Sequence, residues 1–132
     1  MSSPRTWVLV VSRDHARRGV EGGFIMANHG KRAPLARMSV GDRIIVYSPR
    51  TGYPDGEQLR AITFVGEVTG EEPEPSPVIS GGFRRAARLL EIAPIPLADV
   101  SDHLPAGRIR FGFFELPADD AAFVWAVVDA RG

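Results

Sequence analysis

Residues 6–12, TWVLVVS, constrain this chain more than any other stretch. The run is continuously apolar, rich in β-branched residues, and followed at once by the charged RDHARR. A strand with one wet face alternates polar and apolar residues; a run that does not alternate has to be covered on both faces. Residues 6–12 are therefore expected to form a central strand around which the rest is built. The same run is too short for a signal-peptide core or a membrane span. A soluble, cytoplasmic protein with no membrane partner is expected.

The remaining elements follow from local signals. RDHARRGVEGG predicts a short polar helix over residues 14–18, stopped by Gly19 and the pair Gly22-Gly23. Pro34 with the following LARM predicts a further helical turn, closed by Gly41-Asp42. A second strand at residues 43–48 ends at Pro49, and the turn-rich RTGYPDGEQLR leads to a third at residues 61–68. EEPEPSP concentrates negative charge and turn formers, and reads as an exposed excursion. FRRAARLLEI fits strand and helix periods equally, because neither set of alternate residues is cleanly apolar. IPLADVSDHL predicts a short helix docked by Leu97, Val100 and Leu104, and IRFGFFEL, residues 109–116, an aromatic strand. A last helix starts at Pro117, carries Asp119 and Asp120 in its first turn, and buries Phe123, Val124, Val127 and Val128. Strands outnumber helices and connections are short, which predicts one α+β domain over residues 1–132 with a strongly curved sheet or barrel. A chain of this size removes roughly two thirds of its unfolded surface from water, so no covalent staple is needed.

The chemistry is narrowed by what is missing. The chain has no cysteine, which excludes disulfides, thiolate catalysis and thiolate metal sites. His15, His29 and His103 show no metal-ligand spacing. Ser12, Asp14 and His15 are neighbours in sequence, which is not the geometry of a hydrolytic relay. No nucleophile elbow, Walker motif or dinucleotide glycine signature supports catalysis. Neither an enzyme nor a cofactor is expected. The net charge is zero, yet the first fifty residues hold nine basic side chains against three acidic ones, so one cationic face is possible on a neutral chain.

TWVLVVSRDHARRGVEGGF, then HGKRAPLARM followed by GD and YSPR, then RIRFGFFEL occur in this order. In sequence and spacing they resemble the small stand-alone EVE-domain proteins of bacteria, members of the PUA-like superfamily with the YTH and ASCH domains. The likeness covers about residues 7–128. It implies a PUA-like, distorted, mostly antiparallel β-barrel flanked by short helices, and it makes FRRAARLLEI a strand. It also implies a reader of modified, above all methylated, nucleobases. The YTH relatives hold a methylated base, flipped out of its strand, in an aromatic pocket, and EVE domains fused to restriction enzymes are associated with sensing modified cytosine.

A flipped base is flat with polar edges. Its receptor needs apolar or aromatic walls, fixed donors and acceptors for the edge, and cations for the flanking phosphates. Trp7, Tyr47 and Phe24, the last beside Met26, are candidate walls. Ser12 and Ser48, at the ends of the first two strands, offer hydroxyls; Asn28 and His29 can read an edge, and Gly30 permits close backbone approach. Arg13, Arg17, Lys31 and Arg32 are candidate phosphate contacts. Each has a rival role: Trp7 and Tyr47 suit a core, His29 a turn, Lys31 and Arg32 an ordinary solvated surface. The expected partner is DNA or RNA carrying a modified base. The alternative is a free nucleobase-like small molecule, favoured if the cations do not surround the mouth. The acidic residues 71–74 and Asp119-Asp120 are expected to lie away from the binding face, where they would repel phosphate.

Overall fold

A computed structural model of the chain describes residues 4–53 and 55–131, the side chains of His29 and Ala106 excepted. The apolar run forms β1 (Thr6–Val10), and α1 (Arg13–Gly22) leads from it to β2 (Phe24–Ile25). A 3-10 turn (Asn28–Gly30) and α2 (Arg32–Ala36) precede β3 (Arg43–Arg50) and β4 (Gln58–Val68). Then come β5 (Glu74–Pro75), β6 (Phe83–Pro96), α3 (Ala106–Ile109), β7 (Phe113–Leu116) and α4 (Ala118–Arg131). The sheet order is β2-β6-β4-β3-β1-β7, with β5 beside β6. Only β1 and β3 pair in parallel; the other pairs are antiparallel, and register shifts within β3·β4 and β4·β6 help the sheet curl into half a barrel. This is the expected α+β, PUA-like class. No helix among the described residues is long and apolar enough to cross a membrane.

Burial on both faces holds for β1. Trp7 and Leu9 join Ile44, Val46, Leu89 and Phe113 on one face, while Val8 joins Ile45, Ile62, Ile95 and Phe114 on the other. The first face is covered by Ala16 of α1 and Leu35 of α2; the second by α4 and by Leu97, Val100 and Leu104. In α4 the buried stripe is Ala121, Val124, Trp125 and Val128, not the expected one containing Phe123, which is 41% exposed. Trp125 takes the inner place because its Nε1 donates to Thr6 Oγ1 at 3.1 Å while the Arg43 guanidinium covers its ring at 3.5 Å.

FRRAARLLEI is strand. Its buried set is Arg85, Ala87 and Leu89, so an arginine only 2% exposed leads the inward face. The guanidinium donates to the carbonyls of Leu35 (2.7 Å), Met38 (2.6 Å), Gly70 (2.9 Å) and Glu71 (3.1 Å). Burial lowers its pKa, with Asp42 and Glu72 acting in the opposite direction.

Three expected elements change length. The first helix runs through Gly19 to Gly22 and stops at Gly23, whose φ of 76° suits a glycine cap and whose N–H donates to Gly19 O at 2.8 Å. Gly19 is there for space: a Cβ on it would stand 2.7 Å from Phe24 O. Residues 97–104 supply the three docking side chains but only a 3-10 turn (Leu97–Asp99) of helix. Of residues 109–116 only Phe113–Leu116 is strand, since Gly112 at φ 79° breaks the extended run.

Candidate functional site

One residue, Gly23, separates α1 from β2, so the helix turns back over the Leu9 and Val46 face without closing it. The gap is a cleft of about 470 Å³. Leu9, Val46 and Leu89 form its floor, Phe24 and Met26 line one side, and the turn carrying Val78 and Ile79 forms a lip. That turn is built by Ser76, whose Oγ accepts from the N–H groups of Val78 and Ile79 at 3.2 Å. The Arg84 guanidinium lies 3.5 Å from the centre of the Phe24 ring and donates to Glu74 Oε1 at 2.9 Å. His15 and Arg18 complete the mouth. An apolar slot with one aromatic wall and a cationic edge suits a flat, weakly polar ligand. Among the described residues no cluster of His, Asp and Glu is placed to hold a metal.

The structure assigns most of the candidate base-pocket residues elsewhere. Trp7 is fully buried, stacked on Phe113 with ring centres 5.1 Å apart, and donates from Nε1 to Asp42 Oδ2 at 2.9 Å. Tyr47 is buried on the opposite face of the sheet, with Ile62 and Ile95. Ser48 is also buried, sharing a 2.7 Å hydrogen bond with the Thr63 hydroxyl. Ser12 caps α1, its Oγ accepting from the His15 N–H at 3.3 Å. Gly30 does allow a close approach, but to this chain: a Cβ on it would lie 3.1 Å from Met26 Cε and 3.3 Å from Gly82 Cα. Asn28 is half-buried at φ 47°, with Oδ1 only 2.5 Å from where a Cβ on Gly112 would stand. The side chain of His29 lies outside the described residues.

Residues 28–30 thus reach from the start of β6 to the start of β7 and bridge the opening of the curled sheet. Phe24 is the member of the predicted wall set that lines the cleft.

The cations also divide. Arg17 is held bidentately by Glu91, at 2.9 and 2.7 Å, and this hydrogen bonding keeps the Glu91 carboxyl below the usual carboxylate range despite partial desolvation. Arg13 is half-buried, and its Nε is the one buried side-chain nitrogen or oxygen without a partner among the described residues. Lys31 and Arg32 are exposed and pair with no carboxylate among the described residues. Contrary to expectation, the acidic segment returns to the cleft: β5 pairs with β6 and brings Glu74 onto Arg84. Asp120, by contrast, lies on α4, hydrogen-bonded to His103 at 2.9 Å. Sequence reasoning missed Leu9, Val46, Leu89 and Arg84; the first three read as ordinary core, and nothing local marks Arg84 apart from Arg85.

The model of the EVE domain family matches residues 5–127. A UPF0310 protein of Mycolicibacterium vanbaalenii is 42% identical over 125 residues, covering 86% of this chain and 86% of the relative. Similar solved structures include the YTH domain of Zygosaccharomyces rouxii MRB1 protein in complex with N6-methyladenosine RNA, with a TM-score of 0.66 at 13% identity. That likeness covers 96% of this chain and 88% of the other. Human THYN1 protein in complex with 5-methylcytosine-containing DNA gives a TM-score of 0.62 at 11% identity, covering 93% and 96%. At these identities the structural likeness is one of fold.

Proposed function

The chain belongs to the EVE-domain family, and on that premise we propose that it is a binding module for a methylated nucleobase, flipped out of a DNA or RNA strand into the Phe24 cleft. The observation that carries this reading is the cleft itself, about 470 Å³ with an aromatic wall over an aliphatic floor. The fold it shares with the YTH and THYN1 complexes supports the same ligand class. In physical terms the base ring lies between Phe24 and the floor of Leu9, Val46 and Leu89, and the methyl group meets apolar surface. One methyl group in such a slot is worth about 1–3 kcal/mol, a roughly 5- to 150-fold preference over the plain base. Extrusion costs a few kcal/mol, offset by contacts between arginine and phosphate.

The test is a pair of fluorescence titrations at two salt concentrations, using strands that differ by a single methyl group. Preference for the methylated strand and weakening with salt are expected; equal binding of both strands would defeat the reader. The pairing of Arg84 with Glu74 at the cleft edge favours a second reading, a free modified base or nucleoside as ligand. Tight nucleoside binding with no salt dependence is its signature.

A further inference from the structure

A second concavity, an open groove of about 510 Å³, lies where the end of α2 meets the turn between α3 and β7. Arg37, Arg108 and Phe111 line it, together with the buried Phe113 and Phe114. Phe111 is 62% exposed, and the backbone explains why. Its N–H donates to Arg108 O at 3.0 Å, after which Gly112, at φ 79°, swings the chain back into β7. The ring is left facing solvent by a turn that favours glycine.

One exposed phenylalanine is ordinary on any protein surface. The charges around this one are not: the Arg110 guanidinium lies 5.7 Å from its ring, and Arg37 is positioned over Trp7 and Phe113 at 5.1 and 5.9 Å. Among the described residues Arg37, Arg108 and Arg110 pair with no carboxylate. Glu115, the acidic residue of the groove, faces Arg5 at 3.9 Å. An aromatic platform ringed by free guanidinium groups is complementary to a ligand that is both planar and anionic. The groove is also close to the cleft. Met26 lines the cleft and Asn28 abuts Gly112, so two residues, at most about 7 Å of chain, separate the two surfaces.

We propose that this groove is a second subsite for single-stranded nucleic acid, where the base beside the flipped one stacks on Phe111 while Arg37, Arg108 and Arg110 hold its phosphates. The inference rests on the base-binding reading of the cleft, and the test separates the two. Affinities are measured for fluorescein-labelled single strands, 5-methylcytosine DNA and N6-methyladenosine RNA with their unmodified counterparts, against wild type, Phe111→Ala and the double variant Arg108→Ala/Arg110→Ala. Phe111→Ala is expected to weaken every strand that wild type binds by the same factor, roughly 5- to 150-fold for the loss of one base–aromatic stack. It should leave free-nucleoside binding and the melting temperature unchanged. The double arginine variant should reduce the slope of log affinity against log salt by about two.

Unchanged strand affinity in Phe111→Ala overturns the subsite, as does wild-type protein that binds none of the strands. A concentration-dependent dimer that Phe111→Ala abolishes, with strand binding intact, overturns it too and makes the groove a self-association face. Wild type that binds modified and plain strands equally, while Phe111→Ala weakens both, removes the cleft reading and leaves the groove standing.

Discussion

Gly22→Trp tests the cleft without removing anything that holds the fold. Gly22 is the last residue of α1 and lines the cleft; a Cβ built there meets only Phe24 Cδ2, at 3.6 Å, and its φ lies outside the left-handed region. Replacing a helical glycine relieves part of a backbone-entropy penalty of about 1 kcal/mol, and tryptophan returns some of the gain through its lower propensity relative to alanine. The net effect is about zero to 0.5 kcal/mol of added stability, a rise of roughly 0–2 °C in Tm for a chain of this length. The indole, meanwhile, brings about 150–250 Å² of ring surface into a cleft of about 470 Å³. A base can no longer enter. Affinity for a methylated strand should fall to that for the plain strand, a loss of roughly 5- to 150-fold, while the plain strand itself changes by less than about twofold because phosphate contacts persist. Thermal melting and anisotropy titrations read the two effects separately. A variant that melts normally and still prefers the methylated strand would show that the base binds elsewhere.

Other consequences follow from particular contacts. Phe24→Ala removes the cleft wall together with the Arg84 stack, and should abolish methyl discrimination in the same titrations while Phe24→Leu retains part of it. Asp42 is buried and accepts from the N–H groups of Arg5 (3.1 Å) and Ser39 (2.9 Å) and from Trp7 Nε1 (2.9 Å). Burial alone would raise its pKa, but these donors and the Arg5 charge outweigh it and hold the carboxyl below the usual range. Asp42→Asn must turn an amide donor toward at least one of them, costing about 2–3 kcal/mol near pH 7 in chemical denaturation. Because the folded-state pKa is depressed, that contribution is complete above the unfolded value of about 3.9 and is lost as pH falls through the folded value. The gap between the two proteins should therefore be constant from about pH 5 to 7 and narrow below about pH 4; a pH-independent gap would refute the assignment. Gly112→Ala combines a left-handed φ with a collision against Asn28 Oδ1, and should destabilise by about 1–3 kcal/mol, part of it recovered in the Asn28→Ala/Gly112→Ala double variant.

Some of this architecture is visible in the sequence because one residue type at a time decides it. The non-alternating TWVLV dictates a central strand, and the spacing near the C-terminus a helix, since burial of large apolar groups outweighs every local alternative. The strand at FRRAARLLEI escapes the same logic. Its inward face begins with Arg85, which reads as polar until loops at residues 35–38 and 70–71 supply the carbonyls that satisfy it. Likeness to a family, not periodicity, made that segment a strand. The candidate site divides in the same way. Phe24 follows a glycine pair at a helix end, a local sign of a chain turning back on itself. Leu9, Val46 and Leu89 carry no such sign, because the cleft above them depends on where α1 stands, a tertiary fact. Residues at strand ends were the poorest candidates: Ser12 is used by a helix cap and Ser48 by a buried hydroxyl pair. The ANHGKR stretch combines a sheet-bridging turn, Asn28 to Gly30, with cations left on the surface, Lys31 and Arg32.

The most direct measurement is methyl-resolved NMR of the protein bound to a strand carrying one methylated base, observing intermolecular nuclear Overhauser effects from the base methyl group. Cross-peaks to the methyl groups of Leu9, Val46 and Leu89 are expected, because these form the floor on which the base is held. A bound strand whose base methyl group shows contacts only outside that floor would contradict the cleft as the site of recognition.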